Sequence, residues 1–181
     1  MPKPFLIVFG LLVFSQNLSG QFKPFNSFIP VGFTILDSAS GDLNNDRQKD
    51  IVLILRNKFD STITDTTRPL LLLEGNGAGK YRLMTRNDHV VLCKGCGGLF
   101  GDPYDGITIK KGYFSIEHFG GSNWRWTRII TFRFDPKTRQ FILHRDAGFS
   151  WSVFEPEDRS ESIFNKEDFG KLNFVDYSNE K

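Results

Sequence analysis

Twelve consecutive residues, 124–135, alternate between two kinds of side chain, and this pattern constrains the fold more than any other part of the sequence. One side of the alternation is mostly apolar and the other mostly polar: Trp124, Trp126, Arg128, Ile130, Phe132 and Phe134 against Arg125, Thr127, Ile129, Thr131, Arg133 and Asp135. Successive side chains of a β-strand point to opposite faces, whereas a helix repeats every 3.6 residues. The segment therefore predicts a long strand in a sheet with one buried and one solvated face.

Other segments also favour strands. Residues 51–55 and 70–73 are uninterrupted apolar runs, which indicate strands buried on both faces. Residues 107–118 alternate on either side of a Lys111-Gly112 turn, which predicts a β-hairpin. Shorter strands are predicted at 31–36, 140–145 and 151–154. The 19 Phe, 17 Gly and only 2 Met fit aromatic strands and glycine-containing turns rather than long helices.

Two segments leave room for helix. Residues 81–92 fit either a strand with a bulge or a short helix. Residues 160–172 fit a single capped helix with Ile163 and Phe164 facing inward. The expected fold class is all-β, a mainly antiparallel sheet or sandwich-like arrangement with at most one short C-terminal helix.

The first twenty residues have the pattern of a secretory signal. Lys3 precedes an apolar stretch at 5–14, and small Ser19 and Gly20 precede the expected cleavage point. Ten apolar residues span roughly 15 Å as a helix, about half the hydrocarbon core of a bilayer. We therefore expect residues 1–20 to be removed and residues 21–181 to form one domain without a membrane span, in a periplasm or outside the cell.

Neither nucleic acid nor a nucleotide is an expected ligand. The formal net charge of +2 is too balanced for an electrostatic nucleic-acid binder. The glycine-rich segment 74–80 differs from a phosphate-binding loop, because Glu74 stands where the first glycine is required and Tyr81 where Ser or Thr is required. It is better interpreted as a hairpin connection.

The strongest chemical signal is an aspartate-rich loop at 42–50. Oxygen-bearing side chains occupy its positions 1, 3, 5 and 9, and the main-chain carbonyl of position 7 is a further donor: Asp42, Asn44, Asp46, Asp50 and the carbonyl of Gln48. Alternate residues of a tightly curled loop point inward, so these oxygens can converge on one ion. Hard oxygen ligands without His or Cys suit Ca²⁺ better than Zn²⁺ or copper. A solvated turn between strands is the alternative. An EF-hand is excluded because its twelfth position would be Leu53 instead of a bidentate Glu.

The segment 41–46 followed by 50–53 resembles the calcium loop of FG-GAP or integrin-α-type repeats, which joins two strands of a β-propeller blade. The resemblance covers roughly residues 33–55 and implies Ca²⁺ as a structural cofactor. Loops of that family usually carry glycine at the positions held here by Asn45 and Arg47. A propeller needs at least four blades, and this chain has one copy of the motif, so a propeller is not expected.

A second resemblance covers most of the chain after the signal. Four segments resemble a pattern in exported bacterial proteins that also carry one aspartate-rich loop upstream. The segments are Arg86-Asn87-Asp88, Cys96-Gly97-Gly98, Gly101-Asp102-Pro103 and 120–126. This resemblance implies export and a β fold, and it implies no particular activity.

Cys93 and Cys96 are the only cysteines. In an oxidising compartment a disulfide between them is the first expectation. A thioredoxin-like redox centre is an alternative, although no βαβ pattern surrounds the pair. A zinc site would need two further ligands from His89, His118 or His144, and their spacing does not favour it.

Three further groups of residues are functional candidates. Trp124 and Trp126 form a potential platform for a sugar or a peptide, but their strand face continues into apolar residues, which favours core packing. Arginines on the same strand fit weak ion pairs better than an acidic ligand site: Arg125, Arg128 and Arg133. His118 near Glu117 and Asp102 hints at acid/base chemistry, but no nucleophile accompanies it.

The sequence therefore predicts an exported calcium-binding β protein without a catalytic centre, acting as an envelope or extracellular binding module with a structural Ca²⁺ site. A carbohydrate or a protein is the kind of ligand expected. The alternative is a small periplasmic enzyme or thiol-redox protein that uses Cys93 and Cys96 or His118.

Overall fold

Two antiparallel β-sheets make up the fold. The computed structural model describes residues 25–59 and 66–179, so the expected signal at 1–20 lies outside the described residues. The first sheet has four strands in the order β1-β2-β3-β4 and the second has five in the order β5-β6-β7-β8-β9. Their bounds are β1 Phe33–Gly41, β2 Asp50–Asn57, β3 Arg68–Gly75, β4 Tyr81–Val91, β5 Tyr104–Lys110, β6 Tyr113–Gly121, β7 Trp124–Asp135, β8 Gln140–Ser152 and β9 Arg159–Asn165. The all-β prediction is confirmed.

Helical structure is limited to single turns in the described part of the chain. These are 3₁₀ turns at Asn26–Phe28, Lys94–Gly97 and Phe174–Asp176, and one α-helical turn, α1, at Lys166–Phe169. No helix among the described residues is long and apolar enough to cross a membrane. Residues 81–92 took the bulged-strand alternative, because β4 shifts register against β3 at two places.

The helix predicted at 160–172 is wrong over its first half. Residues there form β9, which pairs with β8 from Arg145↔Asn165 to Trp151↔Arg159, and only α1 is helical. The reason is tertiary: β8 is long, and its outer edge presents backbone N–H and C=O groups that need partners. Ile163 and Phe164 remain exposed by 38% and 56%, so neither faces inward as a helix would have placed it.

The main core lies between the two sheets. From the first sheet it receives alternate residues of β2 and β3, including Val52, Ile54 and Leu72, all fully buried. From the second sheet it receives Phe114 and Phe132, whose rings stack with centroids 5.2 Å apart. The even face of β7 is therefore a core face at Ile130, Phe132 and Phe134, as its alternation predicts.

A second, smaller core covers the other face of the first sheet. The remaining residues of β2 and β3, such as Leu53 and Leu73, are also fully buried. They are covered by the N-terminal segment, where Phe25 is 7% exposed and meets the ring of Tyr81 edge-on at 6.4 Å. Both faces of these strands are thus buried, which is why their sequences are continuous apolar runs.

Side-chain hydrogen bonds join the sheets along both edges. On one edge the Tyr104 hydroxyl donates to Asp37 across β5 and β1 at 2.7 Å. On the other edge the C-terminal segment lies between β4 and β8. There the Asn87 amide donates to the carbonyls of Phe174 and Tyr177, and the Leu143 N–H donates to the Leu172 carbonyl at 2.8 Å.

The second sheet extends beyond the first at the end where β7 begins. Trp124 is 64% exposed, and Trp126 and Arg128 are only partly buried, so core packing does not continue to this end of β7. The opposite end of the same sheet carries the β5–β6 and β7–β8 turns. The β5–β6 turn contacts the aspartate-rich loop between β1 and β2, and Arg139 of the β7–β8 turn contacts Glu74 beside that loop.

Candidate functional site

The aspartate-rich loop connects β1 to β2 and is tightly curled. Asn45 and Arg47 have positive φ values of 64° and 68°, so every second residue over this stretch adopts the left-handed conformation. Non-glycine residues seldom do so, and Asn does so more readily than Arg. The loop is held against the second sheet by a hydrogen bond from the Gly112 N–H to the Asp42 carbonyl at 3.3 Å.

Three of the predicted ligands turn into this loop. The Asp42 carboxylate accepts from the N–H groups of Asp46 and Arg47 at 3.1 and 2.9 Å. Asn44 Oδ1 accepts from the same Asp46 N–H at 3.0 Å, and Asp46 Oδ1 accepts from the Gln48 N–H at 2.7 Å. The spacing of alternate oxygen side chains therefore does produce an inward-facing set.

Asp50 anchors the base of the loop. Its carboxylate is completely buried and accepts from the Leu43 N–H at 2.9 Å and from the Gly75 N–H at 3.0 Å, which ties the loop to the end of β3. Burial raises the pKa of this carboxyl, the two backbone hydrogen bonds lower it, and the negative charges of Asp46 and Asp42 raise it further. A positive charge in the loop would relieve that repulsion.

Three charged residues beside the loop have no clear signal in the sequence. Glu74, 9% exposed, accepts from the Asn44 amide at 3.0 Å and from Arg139 of the β7–β8 turn at 3.1 Å. Arg82 forms a further ion pair with Glu74. The only sequence signal for this contact is that Glu74 is an acidic residue directly after the apolar run 70–73. The sequence gives no indication that Glu74 contacts Arg139, which is 65 residues away.

The donor set of the loop suits a hard cation. The oxygens of Asp42, Asn44 and Asp46 that accept hydrogen bonds inside the loop belong to carboxylates or an amide, and each carboxylate oxygen has lone pairs beyond the hydrogen bond it accepts. In this conformation no group of three His, Cys, Asp or Glu side chains in the described ranges is arranged to hold a metal ion. Asp42 and Asn44 nevertheless both approach within 3.1 Å of the Asp46 amide nitrogen.

The cysteines lie at disulfide distance in the 3₁₀ turn that follows β4. Their sulfurs are 2.19 Å apart and their Cα atoms 5.2 Å apart. Cys96 is exposed and Cys93 partly buried. Of the histidines that the sequence offers for zinc, His144 packs edge-on against Tyr113 at 5.1 Å. His89 lines the same pocket as Cys93 and Cys96.

His118 is buried and lacks the partners considered from the sequence. Its Nε2 accepts from the Leu92 N–H at 3.2 Å, while Glu117 points to the other face and accepts from Thr108. Burial, with a contribution from nearby Arg128, lowers the pKa of His118 to about 4. The imidazole is therefore neutral near pH 7, and its Nδ1 has no hydrogen-bond partner.

Arg128 forms the centre of a partly buried polar cluster instead of solvating a wet face. Two guanidinium nitrogens donate to the Asp146 carboxylate at 2.8 and 2.7 Å, and Nη2 also donates to the Tyr177 hydroxyl at 3.1 Å. Tyr177 in turn donates to Asp146 at 2.8 Å. Arg125, by contrast, lies over the ring of Phe100 at 4.4 Å.

A cleft of about 420 Å³ opens beside this cluster, on the part of the second sheet that the first sheet leaves uncovered. β7, β8 and β9 contribute most of its lining, and Leu92 and Cys96 form one wall. It is at the opposite end of β7 from the aspartate-rich loop.

Comparison with known proteins gives no further guide to the site, because no protein family, curated protein or solved structure matches this chain.

Proposed function

We propose that this protein is an exported, non-catalytic binding module whose fold is stabilised by one Ca²⁺ in the loop at 42–50. The observation that supports the calcium site most is the left-handed backbone at Asn45 and Arg47. These are the two positions where similar calcium loops carry glycine. The same curl brings the side chains of Asp42, Asn44 and Asp46 inward.

The ion would have a structural role. Asp50 connects the loop to β3, and the Asp42 carbonyl connects it to the β5–β6 turn, so a bound cation would stiffen a junction between both sheets. It would also offset the negative charges that raise the pKa of Asp50. Extracellular calcium modules bind with dissociation constants of about 10⁻⁴ to 10⁻³ M, so occupancy would follow external calcium.

Thermal melting with calcium or with chelator tests the site. At calcium concentrations about ten- to a hundredfold above the dissociation constant, binding stabilises by roughly 1.4 to 2.7 kcal/mol. For a domain of this size we expect calcium to raise Tm by roughly 3 to 10 °C. Asp46→Ala should abolish this rise, because it removes one inward carboxylate from an exposed position.

Asp158→Ala is the matched control, since Asp158 is an exposed carboxylate in the β8–β9 turn, away from the loop. It should keep the full calcium response. Absence of a calcium-dependent shift in the unmodified protein at about 10 mM calcium, well above the usual range, would refute the metal site.

The second candidate is a thiol-redox function, and exposure of Cys96 at the wall of the cleft is the observation that favours it. In such a reaction a substrate dithiol would be oxidised to a disulfide while the Cys93–Cys96 bond is reduced to two thiols. Oxidation of one equivalent of a dithiol peptide per protein molecule, lost in Cys96→Ser, would support this candidate. Equal oxidation rates with the unmodified protein and the variant would dismiss it.

A further inference from the structure

The cleft beside Arg128 has a floor built from matched rows of the second sheet. The β7–β8–β9 register places Trp126 opposite Ser150, Gly148 between Arg128 and Ser162, and Asp146 opposite Phe164. Residues paired in this way share one face of a sheet. Trp126, Arg128, Asp146, Ser150, Ser162 and Phe164 therefore surround a single concavity.

Gly148 lies at the floor of the cleft, where β8 passes close to β7. A Cβ added at Gly148 would lie 1.9 Å from the Thr127 carbonyl oxygen, so no side chain can be accommodated there without moving the strands. The indole of Trp126 leans away from the cleft centre over Gly120, whose own added Cβ would be 2.5 Å from the ring. Gly148 therefore permits the close approach of β8 to β7 at the cleft, and Gly120 permits the indole of Trp126 to lie over β6.

The lining combines aromatic surface with groups that both donate and accept hydrogen bonds. Trp126 and the 56% exposed Phe164 supply the aromatic surface. Ser150 and Ser162 supply hydroxyls, which donate and accept, while Arg128 donates and Asp146 accepts. A purely apolar ligand would bury the hydroxyls of Ser150 and Ser162 without offering them a hydrogen bond, which costs free energy.

The charges of the cleft balance within the protein. Arg128 and Asp146 form a two-bond ion pair, so neither presents an uncompensated charge to a ligand. His118, which pairs in register with Arg128, is buried and neutral near pH 7. An anion would gain little here, because the nearest guanidinium already has a carboxylate partner.

We propose that this cleft binds a neutral carbohydrate, whose C–H face packs against Trp126 and Phe164 and whose hydroxyls bond to Ser150, Ser162 and the Arg128–Asp146 pair. This inference names the ligand class of the binding module and so rests on the proposed function. A cavity of 420 Å³ is within the usual range for small-molecule sites.

Calorimetric titration with cellotriose, maltotriose and triacetylchitotriose tests the proposal, with inorganic phosphate as the anionic probe. The purified protein should bind at least one trisaccharide with a dissociation constant of roughly 1 mM or below, and should not bind phosphate. Ser162→Arg, which extends a long side chain into the cleft from the exposed edge strand, should weaken that binding by about tenfold or more.

Ile163→Arg is the matched control, because it introduces the same side chain at the next residue, on the opposite face of β9. It should leave sugar affinity unchanged. Binding of phosphate alone, no binding of any trisaccharide at about 10 mM, or equal loss in both arginine variants would overturn the carbohydrate proposal.

The calcium site and the carbohydrate cleft can be refuted independently of each other. Asp46→Ala should lose the calcium-dependent melting shift yet still bind the sugar at temperatures where it is folded, whereas Ser162→Arg should lose the sugar and keep the shift. If calcium raises Tm but no sugar binds, the ligand class is wrong and the calcium site stands.

Discussion

Arg68 is the largest side chain that the described part of the fold buries completely. Its guanidinium donates to both oxygens of Asp102 at 2.6 and 2.7 Å, which links the start of β3 to the loop before β5. Burial by itself would raise the pKa of Asp102, but its hydrogen bonds to Arg68 and to the Tyr104 N–H hold that pKa below its ordinary value. The pair stabilises the fold only while Asp102 is ionised.

Asp102→Asn should therefore destabilise the protein in a pH-dependent way. A carboxyl with a lowered folded-state pKa contributes stability above its unfolded pKa of about 4, and this contribution is lost as pH falls through the folded value. At pH 7 we expect a loss of about 2 kcal/mol, at the low end for a broken buried pair because the Asp102 side chain is 36% exposed.

Denaturant unfolding at pH 7 and near pH 3 measures this difference. The difference in the free energy of unfolding between the unmodified protein and Asp102→Asn should be smaller at the lower pH. Asp105→Asn, at an exposed position of β5, serves as the control and should show little change at either pH. A gap that stays constant with pH would show that the carboxylate charge is not what stabilises the pair.

Among the elements, the C-terminal segment around Phe174 and Tyr177 contributes more to the core than its short length suggests. Phe174 and Tyr177 are 1% and 4% exposed and belong to the main core, although they are carried by a single 3₁₀ turn. Hydrogen bonds from Asn87 hold the backbone of this segment, and the Asn179 N–H donates to the His89 carbonyl at 3.1 Å. The Tyr177 hydroxyl is joined to Arg128 and Asp146. It closes the edge where β4 and β8 do not pair.

Asn87→Ala should loosen this segment. The buried carbonyls of Phe174 and Tyr177 would lose their donor, at a cost of about 1 to 3 kcal/mol in the free energy of unfolding. Hydrogen exchange of the amides of Asp176 and Asn179 should accelerate more than exchange in β2 and β3. Asn123→Ala, in the exposed β6–β7 turn, is the control and should leave that exchange as it was. Uniform acceleration across all strands would contradict a local role.

Sequence reasoning succeeded where the signal is local and failed where partners are distant. The hydrogen bonds that Asp42, Asn44 and Asp46 accept within their loop are local, because they join residues two to five apart. Glu74 and Arg139 were missed because their contact spans 65 residues. The same limit explains β9, whose strand conformation depends on an unpaired edge of β8 and not on its own helix-compatible pattern.

Over the whole molecule, the two proposed sites are at opposite ends of the second sheet. The aspartate-rich loop contacts the β5–β6 turn, and Glu74 beside the loop pairs with Arg139 of the β7–β8 turn. The cleft lies beyond the first sheet, where β7 begins. Between the two sites, β6 and β7 carry the stacked rings of Phe114 and Phe132. These rings belong to the main core together with aliphatic residues of β2 and β3. Such an arrangement places a stabilising ion away from a ligand surface and leaves that surface open.

The disulfide should contribute only modestly to the stability of the whole chain. Cys93 and Cys96 are three residues apart, so their bond closes a loop of about four residues in the unfolded state. The entropy removed by so small a loop corresponds to about 2 kcal/mol. Reduction should therefore lower Tm by roughly 4 to 8 °C and leave the sheets folded at room temperature.

Melting with and without dithiothreitol measures this shift. The Cys93→Ser/Cys96→Ser variant should show the same lowered Tm, and dithiothreitol should not change the Tm of that variant. Unfolding at room temperature on reduction would mean that the bond holds the cleft wall and β4 together, and not merely a local turn.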